Sequence, residues 1–156
     1  EKKGLIPNTQ WKKNALGSGW LLGETIITGI GQGYIQTTPI QLCLMTAQIA
    51  NGGYNIDPTL IKNKNRNKRQ KILNDDVSKK ILPILRKIVS TKNGTASLAN
   101  VSGFEVGGKT GTAQKSINGI YTNKKINSFL SVFPTSRPKF VMAVMLDEPK
   151  ISKDYK

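Results

Sequence analysis

Lys109, Thr110, Gly111 and Thr112 are the residues of this chain best suited to chemistry. They stand in Gly107-Gly108-Lys109-Thr110-Gly111-Thr112-Ala113-Gln114, a run of small residues with one cation and two hydroxyls, directly after the alternating Phe104-Glu105-Val106. The alternation predicts a strand. Its glycines, Gly108 and Gly111 among them, let another backbone lie close alongside. Thr110 and Thr112 are two positions apart and so place their hydroxyls on one face, while Lys109 adds positive charge. A carboxylate would suit that wall, and a substrate peptide could lie along it. Alone, the triplet Lys-Thr-Gly is weak evidence, because an ordinary edge strand with a glycine bulge carries the same letters.

Composition narrows the chemistry. The chain has 156 residues, no histidine and one cysteine, Cys43. A Ser-His triad and an internal disulfide are therefore excluded, and a zinc site is not credible. No metal and no cofactor are expected, and any nucleophilic chemistry must use lysine as its base. The net charge is +15, with its densest source at residues 62–71, where Lys and Arg alternate with Asn. That run has no aromatics on which bases could stack, and AT-rich codons explain Lys and Asn together, so no nucleic-acid partner is expected. A basic surface still favours anionic partners such as membrane lipid or cell-wall polymer. No stretch approaches the roughly 18 apolar residues of a membrane span, and none reads as a signal peptide. Both ends, Glu1 and the polar Lys150-Ile151-Ser152-Lys153-Asp154-Tyr155-Lys156, read as cuts through a larger protein.

The elements that must position the motif can be taken in order. Residues 1 to 36 read as irregular structure with short strands, broken by Gly4, Pro7, Gly17, Gly19 and Gly23, with Trp11 and Trp20 covering a core edge. Gly29-Ile30-Gly31-Gln32-Gly33 lacks the spacing and the following acid of a nucleotide-binding loop. Thr38-Pro39-Ile40-Gln41 is a capping box and predicts a helix from Pro39 to Asn51-Gly52-Gly53. That helix is apolar nearly all round, which predicts burial among other elements. Pro58-Thr59-Leu60-Ile61 reads as a short strand before the basic run. A second helix starts at Asp75-Asp76, with Val77, Ile81, Leu82, Leu85, Ile88 and Val89 on one face, Lys79, Lys80, Arg86 and Lys87 opposite, and a kink at Pro83. The sequons at Asn93 and Asn100 are assigned no role. Beyond the motif strand, Asn118-Gly119 marks a hairpin turn, and strands follow at Ser128 to Phe133 and Phe140 to Leu146. The expected fold is α+β, an antiparallel three-strand meander with packed helices.

The ordered set of Ile30-Gly31-Gln32-Gly33-Tyr34, the Thr-Pro-capped helix ending Ala50-Asn51-Gly52-Gly53, Asn93-Gly94-Thr95-Ala96 and Gly108-Lys109-Thr110-Gly111-Thr112-Ala113-Gln114 resembles the C-terminal half of a class B penicillin-binding protein transpeptidase domain. The resemblance covers nearly the whole chain, so residues 1–156 are expected to be a C-terminal fragment of one such domain, an incomplete serine β-lactamase/D,D-peptidase-like fold. Gly4-Leu5-Ile6-Pro7 and the Gly-Gln-Gly-Tyr segment resemble the elongation branch, the penicillin-binding protein 2 type, whereas Leu146-Asp147-Glu148-Pro149-Lys150 is closer to the division type. The resemblance implies three motifs: Ser-x-x-Lys with the nucleophile, Ser-x-Asn or Ser-x-Asp for proton movement, and Lys-Thr-Gly. By it, Lys109, Thr110 and Gly111 belong to the catalytic strand, and Lys109 supports the proton network and the anionic substrate. Gly108, Thr110 and Thr112 then line the substrate site, the threonines binding the terminal carboxylate of a D-Ala-D-Ala stem peptide. The Thr112 N–H completes an oxyanion hole, and an amine of a neighbouring strand attacks the acyl-enzyme.

The implied partners are peptidoglycan stem peptides, β-lactams and a cell-wall synthesis complex with a glycosyltransferase, at the periplasmic face of the inner membrane with an anchor upstream. The alternatives are a β-lactamase or D,D-carboxypeptidase of the same fold, or a non-catalytic basic binding module. Two letter matches are decoys. Ser136-Arg137-Pro138-Lys139 spans a turn between strands rather than opening a helix, and Ser116-Ile117-Asn118 follows Lys-Thr-Gly instead of preceding it. No nucleophile is expected within this chain, so the fragment alone is expected to be inactive.

Overall fold

A computed structural model of the chain describes residues 3–61, 70–117 and 120–150. Most of the basic run and the Asn118-Gly119 turn lie outside the described residues. Two compact units are present, residues 1–41 and 42–156.

The first unit is helical where short strands were expected. Helix α1 spans Thr9–Leu16 and α2 spans Leu22–Gly29, and the only strand-like pairing described there is a bridge between Leu5 and Gln36. Local capping explains α1: Asn8 Oδ1 accepts the Trp11 N–H at 2.8 Å, and Gly17 closes the helix at φ 67°. The glycines that broke the apolar period mark the ends of eight-residue helices, too short to show a repeat. The unit is tied by a charge pair that the sequence pattern did not announce. Lys12, 4% exposed, donates to Gly19 O at 2.6 Å and pairs with Glu24 at 2.6 Å, and Tyr34 Oη also reaches Glu24, at 3.3 Å. These donors, Lys12 foremost, hold the Glu24 carboxyl below its ordinary range. Trp11 packs on Tyr34 with ring centres 5.3 Å apart, and Trp20 Nε1 donates to Thr25 Oγ1 at 2.8 Å.

Helix α3, Pro39–Ala50, starts at the expected residue, and its capping box is formed in full: Gln41 N donates to Thr38 Oγ1 at 3.3 Å and Thr38 N to Gln41 Oε1 at 2.9 Å. The expectation of burial on all sides is not met. Only Thr46 and Ala50 are buried, while Ile40 and Met45 are exposed. An apolar circumference gives the capacity for burial, and neighbours must supply the cover. The Pro58–Ile61 strand is also absent: those residues are irregular, and the local pairing is a bridge between Tyr54 and Lys71. A proline has no N–H for a ladder, and the bridge residues sit outside it.

Helix α4, Asp75–Ser90, follows the predicted face, with Val89 fully buried and Ser78 Oγ donating to Ile49 O of α3 at 2.5 Å. Pro83 lies inside it. The sheet is antiparallel in the order β1-β2-β3, with β1 Gly107–Ile117, β2 Ile120–Phe133 and β3 Phe140–Asp147. Two boundaries differ from expectation. Phe104–Val106 lies outside β1, and β2 begins well before Ser128, its early part drawn into the ladder by the pairs Ile117 with Ile120, Ser116 with Tyr121 and Gln114 with Lys125 on either side of a register irregularity. On β3, the residues Phe140, Met142, Val144 and Leu146 share one face and are all exposed. The buried apolar set is correspondingly small: Ala50, Val89, Ala96 and Val132.

Candidate active site

Among the described residues β1 is an edge strand, paired only with β2. In register, Lys109 opposes Leu130, Thr110 opposes Phe129 and Thr112 opposes Asn127, so Thr110 and Thr112 share a face. By the same alternation Lys109 lies on the opposite face. Its Nζ donates to Thr110 O at 2.7 Å, which folds the ammonium along the strand, and its side chain is exposed. All of these groups can therefore meet only at the free outer edge of β1, where an extended peptide could add.

Small residues at the strand entrance are required by packing. A Cβ on Gly108 would stand 2.6 Å from two ring carbons of Phe129 and 2.8 Å from Leu130 O, while one on Gly107 would stand 2.6 Å from Thr135 Cγ2 and 3.1 Å from Arg86 N of α4. At Gly111 a Cβ meets only Ser128 Oγ, at 2.6 Å. Both glycines are thus accounted for by the sheet itself, Gly108 against ring and backbone atoms of β2 and Gly111 against the rotatable hydroxyl of Ser128.

The entrance is clamped from two sides. Arg86, expected among the solvent-facing cations of α4, is half-buried and donates from Nη1 to Val106 O at 3.0 Å and to Asn100 Oδ1 at 3.3 Å. Glu105 accepts from both the hydroxyl and the N–H of Ser136, and Glu105 O accepts from Thr135 N at 2.9 Å. The two donations from Ser136, ahead of the Arg86 charge, hold the Glu105 carboxyl below its ordinary range. Ser136 therefore sits in the bend between β2 and β3 with its hydroxyl engaged, not on a helix facing a lysine. Ser116 lies in the irregular stretch of the β1 ladder, and Asn118 lies outside the described residues.

The structure also brings a segment to the motif that the pattern did not place there. Thr110 Oγ1 and Thr95 Oγ1 are hydrogen-bonded at 3.3 Å. Gly94 makes this possible, because a Cβ there would stand 2.0 Å from Ile88 O, so only glycine lets the chain double back on α4 this tightly. At the far end of the sheet Lys115 binds Asp147 at 2.9 Å and Glu148 at 2.8 Å, and Lys124 binds Glu148 at 3.0 Å. The two carboxylates raise the Lys115 ammonium above its ordinary range. Among the described residues no cluster of His, Cys, Asp or Glu could hold a metal ion.

Comparison with known proteins adds the context. The family model described as penicillin binding protein transpeptidase domain matches residues 1–156. A peptidoglycan D,D-transpeptidase FtsI homolog of Mesostigma viride is 32% identical over 151 residues, covering 82% of this chain and 25% of that protein. Pseudomonas aeruginosa PBP2, solved in complex with WCK 5153, superposes with a TM-score of 0.81 at 32% identity, over 95% of this chain and 34% of that one. Helicobacter pylori PBP2, solved in complex with MreC, gives a TM-score of 0.79 at 29% identity, over 95% of this chain and 28% of that one. The two structures agree with the elongation-type reading, while the FtsI homolog carries a division-type name. The chain spans about a quarter to a third of each of these relatives.

Proposed function

The chain belongs to the penicillin-binding protein transpeptidase domain family, and from that premise we propose that it supplies the Lys-Thr-Gly wall of a serine-type peptidoglycan D,D-transpeptidase of the PBP2 type. The observation that carries this reading is the outer edge of β1, to which the described residues pair no strand, with Lys109, Thr110 and Thr112 presented along it. A stem peptide ending in D-Ala-D-Ala adds to that edge as an extra strand. Its terminal carboxylate is bound by the hydroxyls of Thr110 and Thr112 and by the Lys109 charge. The serine, supplied from outside this chain, attacks the penultimate carbonyl, and the Thr112 N–H takes one side of the developing oxyanion. The D-alanine leaves, and an amine of a neighbouring stem peptide then attacks the acyl-enzyme to form the cross-link. A β-lactam enters the same site and stops at the acyl-enzyme.

Residues 1–156 are proposed to be the C-terminal portion of that domain. The uncovered apolar face of β3 and the exposed Ile40 and Met45 on α3 support this, because they call for packing partners that the described residues do not provide. The proposed setting is the periplasmic face of the inner membrane, in a cell-wall synthesis complex with a glycosyltransferase, held by an anchor outside this chain; no helix among the described residues is long and apolar enough to cross a membrane.

The test is covalent labelling of the full-length protein by a fluorescent penicillin. Labelling is expected with Lys109 intact and is expected to fall by about a hundredfold or more in Lys109→Ala, the loss typical of removing one charge-stabilising group. The variant should remain folded, because Lys109 is exposed and its one described hydrogen bond is to the adjacent carbonyl. Absence of label on the intact protein would refute the proposal. Unfolding of the variant would return the motif to an ordinary edge strand.

A further inference from the structure

Beside the motif, between the last turns of α4 and the start of β1, lies an open cleft whose floor is Ile84 and Ile88. Lys87, Thr91, Asn93, Thr95 and Lys109 stand around it, and no carboxylate lines it. The cleft joins the motif directly through the Thr95 to Thr110 hydroxyl contact of 3.3 Å. Thr91 Oγ1 donates to Lys87 O at 2.7 Å, which fixes the last turn of α4 from which Lys87 extends. Among the described residues neither the Lys87 ammonium nor the Asn93 amide has a hydrogen-bond or ion-pair partner, so both are available to a ligand.

Two cations, Lys87 and Lys109, line one cleft together with the apolar Ile84 and Ile88 and polar groups. Lys109 is already assigned to the terminal carboxylate of the peptide. Apolar lining suits the aliphatic part of a ligand, and a second ammonium in the same lining suits a second negative charge. Charge complementarity therefore selects a dianion.

We propose that this cleft is a second anion subsite, in which Lys87 receives a second carboxylate of the same peptide or β-lactam whose first carboxylate is held along Lys109, Thr110 and Thr112. It rests on the transpeptidase reading of Lys109 and extends that reading to ligand selectivity. Lys87 acts by binding the ligand, takes no part in bond making, and discriminates dianionic from monoanionic ligands.

The experiment uses the full-length protein and two penicillins on one scaffold: benzylpenicillin, with one carboxylate, and carbenicillin, which carries a second on its side chain. Second-order acylation rate constants are measured for each by competition with a fluorescent penicillin, and the readout is the carbenicillin to benzylpenicillin ratio. The benzylpenicillin rate on the same variant cancels any general loss of fold or activity. In Lys87→Ala the ratio is expected to fall by about two- to fivefold, the worth of one exposed ion pair, and in Lys87→Glu by more. The ratio of the unsubstituted protein should also fall as salt is raised, and that of Lys87→Ala should change less. An unchanged ratio in both variants, with both penicillins still acylating, overturns the subsite and leaves the transpeptidase reading in place. Failure of carbenicillin alone to acylate the unsubstituted protein overturns the subsite, and failure of both penicillins overturns the transpeptidase reading with it.

Discussion

Gly108 and Gly111 sit three residues apart on one strand, and their environments separate a glycine set against the partner strand's backbone from one set against a rotatable side chain. A methyl group at Gly108 lands 2.6 Å from the Phe129 ring and 2.8 Å from Leu130 O. Contacts of about 3.4 Å or more are ordinary, so something must move by nearly an ångström. The Phe129 ring has room to turn, but the Leu130 carbonyl belongs to the paired strand and moves only if the β1-β2 ladder opens. Overpacking of this kind costs about 1–3 kcal/mol. The loss of backbone freedom in the unfolded chain offsets about 0.4–1 kcal/mol of that. The net is about 1–2 kcal/mol, which in a domain of 150–250 residues lowers Tm by roughly 2–8 °C. At Gly111 the added methyl meets only the rotatable Ser128 hydroxyl. Its clash is relieved by a χ1 change, and Tm should stay within about 2 °C. Acylation should respond differently: under the transpeptidase reading Gly111 stands between Thr110 and Thr112 on the substrate strand, so Gly111→Ala should slow labelling by fluorescent penicillin although the fold is intact. Thermal unfolding and acylation rates of the two full-length variants provide the assay. Equal Tm losses at both positions, or a stable Gly108→Ala, would refute the reasoning. A double variant, Gly108→Ala with Phe129→Leu, should regain only part of the stability, because the clash with Leu130 O remains.

Two further outcomes follow from the clamps on the strand entrance. Arg86→Ala leaves Val106 O without its donor, and should cost about 1–2 kcal/mol, or roughly 2–8 °C in Tm, with slower acylation; Arg86→Lys should recover only part, since one ammonium cannot span Val106 and Asn100 as the guanidinium does. Glu105 has its folded pKa lowered by Ser136 and Arg86, so its contribution is present above the unfolded value of about 4.3 and is lost as pH falls through the lower folded value. The Tm difference between the unsubstituted protein and Glu105→Gln should therefore be widest near neutral pH and shrink below about pH 4, and a difference that widens on acidification would sink the assignment.

Local chemistry was legible where a few adjacent residues decide the outcome. The Thr38-Pro39-Ile40-Gln41 box gave the start of α3 because its hydrogen bonds close within four residues, and the Asp75-Asp76 start and apolar face of α4 followed from charge and period in the same way. The period-2 pattern gave β3 to within one residue. The motif order identified the family. What failed was decided by distant partners. The two helices of the first unit are tied by the Lys12-Glu24 pair, whose members stand twelve residues apart in sequence, although the Asn8 cap that starts α1 is local. Extension of β2 back to Ile120 depends on the strand beside it, and the exposure of α3 depends on what lies next to it.

The site divides along the same line. The sequence by itself determined that Thr110 and Thr112 share a face, since a strand repeats every two residues. Only the tertiary structure decided that β1 is an edge among the described strands, that Gly108 abuts backbone and Gly111 a rotatable hydroxyl, and that Arg86 turns inward to hold Val106 O. It alone brought Thr95 and Lys87 to the motif, because the turn at Gly94 folds the chain back on α4, and no local pattern encodes a contact made by that return.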